Sequence, residues 1–455
     1  MSIAIDLQEW QPATPTTHTQ LAGVQLPQDD ATQRLIRVLS EKKRLEVLEL
    51  RRGVSLEASS YVGRIALGEL QITIRPKIKM LPLLHLLQYA YGLRQLDLLS
   101  VAGFETESLT FQDLLIYQLF AEVRELVLRG LHRRYVRKEE ALASPRGRIA
   151  LQTIARQGGI VQASLPCIHH PRLEDCLINQ VLLQGVSLGA RLANDDRLRT
   201  YLLQLAYFHL ADIAPIKLDL RALERLHREM DRLTAAYAPA ITLIELLLAS
   251  EGISLDERHP EQHLPGFLFD MQRFFQELLA RFLSEHLQGY TVQSQFEIED
   301  MLVYVDNPQH HQAPKPRPDY VVKQGGKVVA VLDAKYRDLW EKPLPPSMLY
   351  QLVMYALSQE HCNSATILYP TTHTEAREAK IEVRVPTYGK GFSYVVLRPV
   401  NLLLLETLLS NPEKKIHAEI ERERAGFARW LVFGGVLCLI KTSDFAAYPD
   451  LSRAW

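Results

Sequence analysis

The sequence is poor in several features that mark whole classes of protein. Its 455 residues include four cysteines, Cys167, Cys176, Cys362 and Cys438, and no C-x-x-C pair. Neither a zinc site nor a disulfide framework follows from that spacing, and reduced thiols in a cytoplasmic protein are the simplest account. Long apolar runs are missing too: the stretch Trp430 to Ile440 is too short to span a bilayer, so no membrane association is expected. The first ten residues carry no positive region followed by an apolar run, so a secretory signal is not expected. Neither sign of charge is in excess, the formal net charge being -1. A protein of this balance that acts on nucleic acid must rely on a local basic patch or on a partner that holds the nucleic acid. There is no G-x-x-x-x-G-K-[ST] loop, so the chain is not itself a P-loop motor, and no internal repeat or low-complexity tract is present.

What is present is the composition of a globular protein, 47% hydrophobic and 23% charged, on a chain long enough for two or three domains. Residues 1–30, rich in Thr, Gln and Pro, read as a loosely ordered arm. From 31 to 110 the pattern is β-rich, with Tyr61–Ile65 and Leu70–Ile74 predicted as a hairpin about Gly68. Residues 111–258 are helical in spacing, most clearly around Phe111–Phe120 and Leu243–Leu248. Arg129, Arg133, Arg134, Arg137 and Lys138 gather there, either as a solvated helix face beside Glu139 and Glu140 or as a phosphate-contacting patch. His259 to Gly266 reads as a linker because of Pro260 and Pro265. A helix is expected from Phe267 to about Leu287, then strands near 291–298 and 301–306.

The chemistry is concentrated further on. Pro318-Asp319-Tyr320-Val321-Val322, a Gln324-Gly325-Gly326 turn and Val328 to Leu332-Asp333-Ala334-Lys335 predict a hairpin. Side chains alternate along a strand, so Asp333 and Lys335 share a face about 7 Å apart, and the hairpin can return Asp319 to Asp333. Two carboxylates converging on a lysine suit phosphodiester hydrolysis. Asp319, Asp333 and the Ala334 carbonyl are hard oxygen donors for Mg2+ (or Mn2+), and Lys335 can stabilise developing negative charge. A charged pair ending a wholly apolar strand is not what packing alone selects. Gln351 and Tyr355 lie one turn apart on a predicted helix. Glu277 is the acidic candidate on the preceding helix.

These elements resemble the PD-(D/E)xK nucleases, and the Gln351/Tyr355 pair resembles the element that follows the catalytic lysine in RecB-like members. Taken with Tyr61-Val62-Gly63-Arg64-Ile65 and Ile74-Arg75-Pro76-Lys77-Ile78, and with Ile367-Leu368-Tyr369-Pro370 downstream, the chain resembles McrC, the nuclease subunit of McrBC modification-dependent restriction systems. That resemblance implies an α/β architecture: a β-rich and helical N-terminal region followed by a restriction-endonuclease-like domain over 266–405, with 406–455 as a C-terminal extension. It implies catalytic roles for Asp319, Asp333, Lys335, Gln351, Tyr355 and Glu277. The implied partners are double-stranded, modified DNA and an AAA+ GTPase of the McrB type, whose ring the N-terminal part engages and stimulates. The family often has Glu where this chain has Gln276, so the acidic role is expected to fall to Glu277 or to be absent. Two alternatives are a scaffold that mainly activates its NTPase and a RecB-like exonuclease working with a helicase.

Overall fold

The structure, a computed structural model, describes residues 3–94, 110–156, 163–251, 266–299, 301–358, 363–384, 391–410 and 417–435. The chain divides into two compact units. One joins residues 1–95 to 252–455, and the other is 96–251. The N-terminal β-region and the nuclease-like domain, expected to be separate, therefore belong to one unit.

Residues 3–8, assigned from sequence to a loosely ordered arm, instead form strand β1 (Ile3–Gln8). Its alternation buries Ile5 and Leu7, and it lies parallel to β5, more than sixty residues away. That pairing leaves no local trace beyond the period-two pattern. After α1 (Asp30–Glu41), β2 (Leu45–Leu50) and β3 (Gly53–Ala58) form an antiparallel pair. The expected hairpin follows as β4 (Tyr61–Leu67) and β5 (Leu70–Arg75), turning at Gly68 with φ +60°. Helix α2 (Met80–Tyr91) stops at Gly92 in the left-handed conformation, a glycine C-cap.

The helix expected from Phe267 starts four residues later. Gly266–Asp270 is a strand, β6, antiparallel to β4 and completing the order β1-β5-β4-β6. Phe267, Leu268 and Phe269 are all buried. A strand buried on both faces reads as an unbroken apolar run, which periodicity cannot tell from a helix. Asp270 then accepts from the Gln272 and Arg273 amides, capping α3 (Met271–His286). The linker expected at 259–266 lies outside the described residues except for Gly266 itself.

The second sheet has the order β7-β8-β9-β10-β12-β11: β7 (Thr291–Ser294), β8 (Tyr320–Gln324), β9 (Lys327–Ala334), β10 (Ser364–Thr371), β11 (Ala379–Arg384) and β12 (Gly391–Asn401). Its centre is parallel, β9 to β10 to β12, and its edges are antiparallel. Helix α4 (Pro346–Leu357) opens with proline at its first position, where no amide is needed, and buries Leu352, Tyr355 and Ala356 against the sheet. No strand forms at 301–306; Val303 and Val305 there are exposed. The chain on either side of this loop instead pairs loosely, the Gln295 amide donating to the Asp319 carbonyl and the Ile298 amide to the Pro316 carbonyl. Part of the expected C-terminal extension belongs to this unit: α5 (Leu402–Leu409) leads to α6 (His417–Phe433), whose Phe427 meets Phe282 of α3 edge-on at 5.9 Å.

The second unit is largely helical, with helices Phe111–Arg129, Leu177–Leu192, Asp196–His209, Leu220–Glu229 and Ala238–Ser250. It also holds a small sheet of Lys138–Leu142, Leu165–His169 and Arg148–Ile149. Arg129, Arg133, Arg134 and Arg137 each face an acid, respectively Glu125, Glu174, Glu229 and Glu139, the pattern of a solvated, ion-paired surface. Among the described residues, no helix is long and apolar enough to cross a membrane.

Gly63 shows how tightly the first sheet is drawn. It has φ +142°, and a Cβ there would stand 1.9 Å from the Phe267 carbonyl oxygen. Gly63→Ala must push β6 off β4, and we expect it to destabilise the chain by about 2 kcal/mol or more, measured by urea unfolding.

Candidate active site

The site lies where β8 begins and β9 ends, and a register irregularity assembles it. From the Gly325–Gly326 turn, both residues at positive φ, Gln324 faces Lys327 and Lys323 faces Val328. Beyond the irregularity Val322 faces Ala330 and Tyr320 faces Leu332, so Val329 is an extra residue on β9. Continuing this register sets Asp319 opposite Asp333. Without the bulge Asp319 would face Leu332, on the other side of the sheet.

Both carboxylates are buried, Asp333 being 2% and Asp319 7% exposed. The Lys335 ammonium lies 2.9 Å from Asp333 Oδ2 and 4.0 Å from Asp319 Oδ2. Asp319 is well held: its Oδ1 accepts from Gln276 Nε2 at 2.8 Å and its Oδ2 from the Ala334 amide at 2.8 Å. Asp333 is held less well, for among the described residues neither of its buried oxygens has a well-aligned hydrogen-bond donor, and the Lys335 ammonium at 2.9 Å is its main support. Burial first, and then the Asp319 carboxylate beside it, pushes Asp333 up to about 6 against the pull of Lys335. Burial opposes the charge on Lys335 as well, but Asp333 and Asp319 outweigh it and hold the ammonium above its ordinary value. Lys335 is thus a cation at neutral pH, suited to stabilising charge rather than taking a proton.

Gln351 and Tyr355 stand behind this pair. Gln351 Nε2 donates to the Tyr355 hydroxyl at 2.7 Å, which donates to the Arg317 carbonyl at 2.8 Å. Burial, then the Asp333 charge, pushes the phenol up to about 12, so it remains a donor. The pair grips the chain two residues before Asp319 and orients that carboxylate through the backbone.

Glu277 does not join the group. It is exposed on α3, and no hydrogen bond or ion pair links it to Asp319, Asp333 or Lys335. Successive helix residues point about 100° apart, and it is Gln276 that faces the strand ends. The Tyr320 hydroxyl, bonded to the Gln276 carbonyl at 2.6 Å, fixes that turn. Gln272, one turn earlier, was not identified from the sequence. Its Nε2 donates to the Ala334 carbonyl at 2.7 Å, while its Oε1 accepts from the Tyr336 amide at 2.7 Å. The Ala334 carbonyl, expected to offer an oxygen to a metal, thus already uses one of its two lone pairs. An amide bonding to both sides of a D-x-K strand end is visible only once the helix is docked.

A sequence profile described as "McrBC 5-methylcytosine restriction system component" matches residues 56–370. The chain belongs to that family. No curated protein sequence matches it. Among solved structures, it is similar to a chain in a half-complex from a tetradecameric assembly of Thermococcus gammatolerans McrB AAA+ hexamers with bound McrC. The TM-score is 0.58 at 21% identity, covering 93% of this chain and 99% of that one. A chain of the cryo-EM structure of the Thermococcus gammatolerans McrBC complex matches over 63% of this chain and 89% of its own length, at 22% identity and TM-score 0.44. The first of these likenesses establishes a shared fold.

A buried carboxylate with no well-aligned donor among the described residues, beside a second carboxylate, is a donor set that a divalent cation would complete. Titrating Mn2+ into the full chain should therefore raise the thermal midpoint of the wild type, and Asp333→Asn should abolish the rise. An equal rise in the variant would place the metal elsewhere.

Proposed function

We propose that this chain is the endonuclease subunit of a modification-dependent restriction system, hydrolysing DNA with Mg2+ and stimulating an AAA+ GTPase of the McrB type. The observation that carries the reading is the convergence of Asp319, Asp333 and Lys335 at one buried strand end. Family membership supports the setting.

Asp319 and Asp333 would hold the metal, with one lone pair of the Ala334 carbonyl in reserve. Bound there, Mg2+ would polarise the phosphate and make water more acidic. Gln276 and the Ala334 amide keep Asp319 aimed at Asp333. Lys335, charged and only partly exposed, offsets the negative charge that grows on the phosphate as water adds and a P–O ester bond breaks. Gln351 and Tyr355 orient Asp319 from behind.

DNA affinity is expected to come mainly from the partner, because the net charge is -1 and the arginine cluster of the helical unit is ion-paired. The first of the two Thermococcus structures, described as McrB AAA+ hexamers with bound McrC, supports the partner class. Gln276 in place of an acid keeps a second reading alive, a scaffold that chiefly activates its NTPase.

The decisive assay mixes the chain with the AAA+ partner, a modified closed-circular plasmid, GTP and Mg2+. Lys335→Ala should lose cleavage by about 100-fold or more while GTP hydrolysis is stimulated as in wild type. Equal cutting by the variant would put the catalytic centre elsewhere, and cutting that requires DNA ends would favour an exonuclease.

A further inference from the structure

The Arg75-Pro76-Lys77 segment takes no part in the chemistry above, yet it reaches the catalytic strand through one buried side chain. Glu9 follows β1 and is fully buried, its amide bonded to the Arg75 carbonyl at 3.0 Å. Its Oε1 accepts two bonds, from the Lys77 amide at 2.8 Å and from the Tyr336 hydroxyl at 2.9 Å. Tyr336 is the residue after Lys335. Neighbours on an extended chain point to opposite sides, so Tyr336 runs inward, edge-on to Phe275 at 5.9 Å, while Lys335 turns to the carboxylates.

The strand bonds of β9 end at Ala334, just where the geometry must be fixed. Beyond that point the chain is held by separate clamps. Gln272 bonds the Ala334 carbonyl and the Tyr336 amide, and the Lys335 amide donates to the Leu368 carbonyl at 3.0 Å. The Tyr336 hydroxyl ties the far side to Glu9. The loop that follows is pinned to the same N-terminal residues: Arg337 and Lys342 lie over the Trp10 ring at 5.6 and 5.8 Å, and Lys342 donates to the Trp10 carbonyl. The Lys77 ammonium meets Glu341 at 2.5 Å.

The pair is a costly way to fill space. Burial lifts Glu9 up to about 7, and its Oε2 has no hydrogen-bond partner among the described residues. A phenylalanine facing a leucine would fill the same volume without that penalty. What the hydroxyl and carboxyl add is direction.

We propose that Glu9, oriented by the main chain of Lys77, is a positioning residue for Lys335 and acts through the Tyr336 hydroxyl. This rests on Lys335 being the charge-stabilising group of the nuclease reading.

The test compares wild type, Tyr336→Phe, Glu9→Leu, Glu9→Gln and the double variant Glu9→Leu/Tyr336→Phe, each as the full chain with its AAA+ partner. Tyr336→Phe keeps the ring and loses only the tether, so kcat for cleavage should fall by about tenfold or more while KM for DNA and GTPase stimulation stay unchanged. Glu9→Leu should fall equally, and the double variant should be no worse than either single, since all three lack the same bond. Glu9→Gln keeps an oxygen acceptor and should cut within about twofold of wild type, because Glu9 is itself partly uncharged near neutrality. Hydrogen exchange of the Lys335 and Tyr336 amides, read on the free chain, should be faster in Tyr336→Phe and Glu9→Leu and restored in Glu9→Gln. Wild-type kcat and exchange in Tyr336→Phe, or losses that multiply in the double variant, overturn the proposal. If wild type cuts no DNA, the nuclease reading falls, and the exchange data alone decide whether the tether places Lys335.

Discussion

One extra residue in a β-strand is the constraint on which the site depends. A hairpin closed on Gly325–Gly326 with an unbroken ladder would carry Asp319 to Leu332 and leave the two carboxylates on opposite faces. The bulge at Val329 shifts the register by one, and that shift makes them opposed neighbours. Two carboxylates that close, in a corner nearly closed to water, repel one another and lose hydration. The raised Asp333 is the direct expression of that penalty, and the Lys335 ammonium offsets only part of it. The site is therefore built to receive positive charge.

A strained electrostatic corner needs rigid surroundings, and here they are neutral. Gln272 and Gln276, one turn apart on α3, bond the Ala334 carbonyl, the Tyr336 amide and the Asp319 carboxylate. Gln351 and Tyr355 do the same for the chain before Asp319. Uncharged donors hold position without changing the balance between the acids and the lysine. That gives Gln276 a physical role even though it cannot supply an acid.

Much of this was legible because it is local. The Asp319–Lys335 hairpin announced itself through a two-glycine turn between apolar runs, and the β4–β5 hairpin through a glycine between alternating strands. Gln351 and Tyr355 sit one turn apart on a helix that the apolar spacing predicts, and the resemblance to RecB-like nucleases is what singled them out. The misreadings share a different cause. Ile3–Gln8 reads as an arm because its partner strand is remote, and Gly266–Asp270 reads as helix because burial on both faces erases the alternation. The acidic role was expected at Glu277 or nowhere, and the rotation of α3, fixed by the Tyr320 hydroxyl, presents Gln276 to the carboxylate. Glu9 and Gln272 carry no local signal at all.

The sequence by itself determined which groups are present, the turns that join them and the strand on which Asp333 and Lys335 share a face, because these follow from short-range backbone geometry. The tertiary structure decided which carboxylate faces which, which helix residue reaches them and what anchors Lys335. Those outcomes depend on strand register, helix rotation and the docking of segments hundreds of residues apart, and a shift of one residue or a quarter turn reverses each of them.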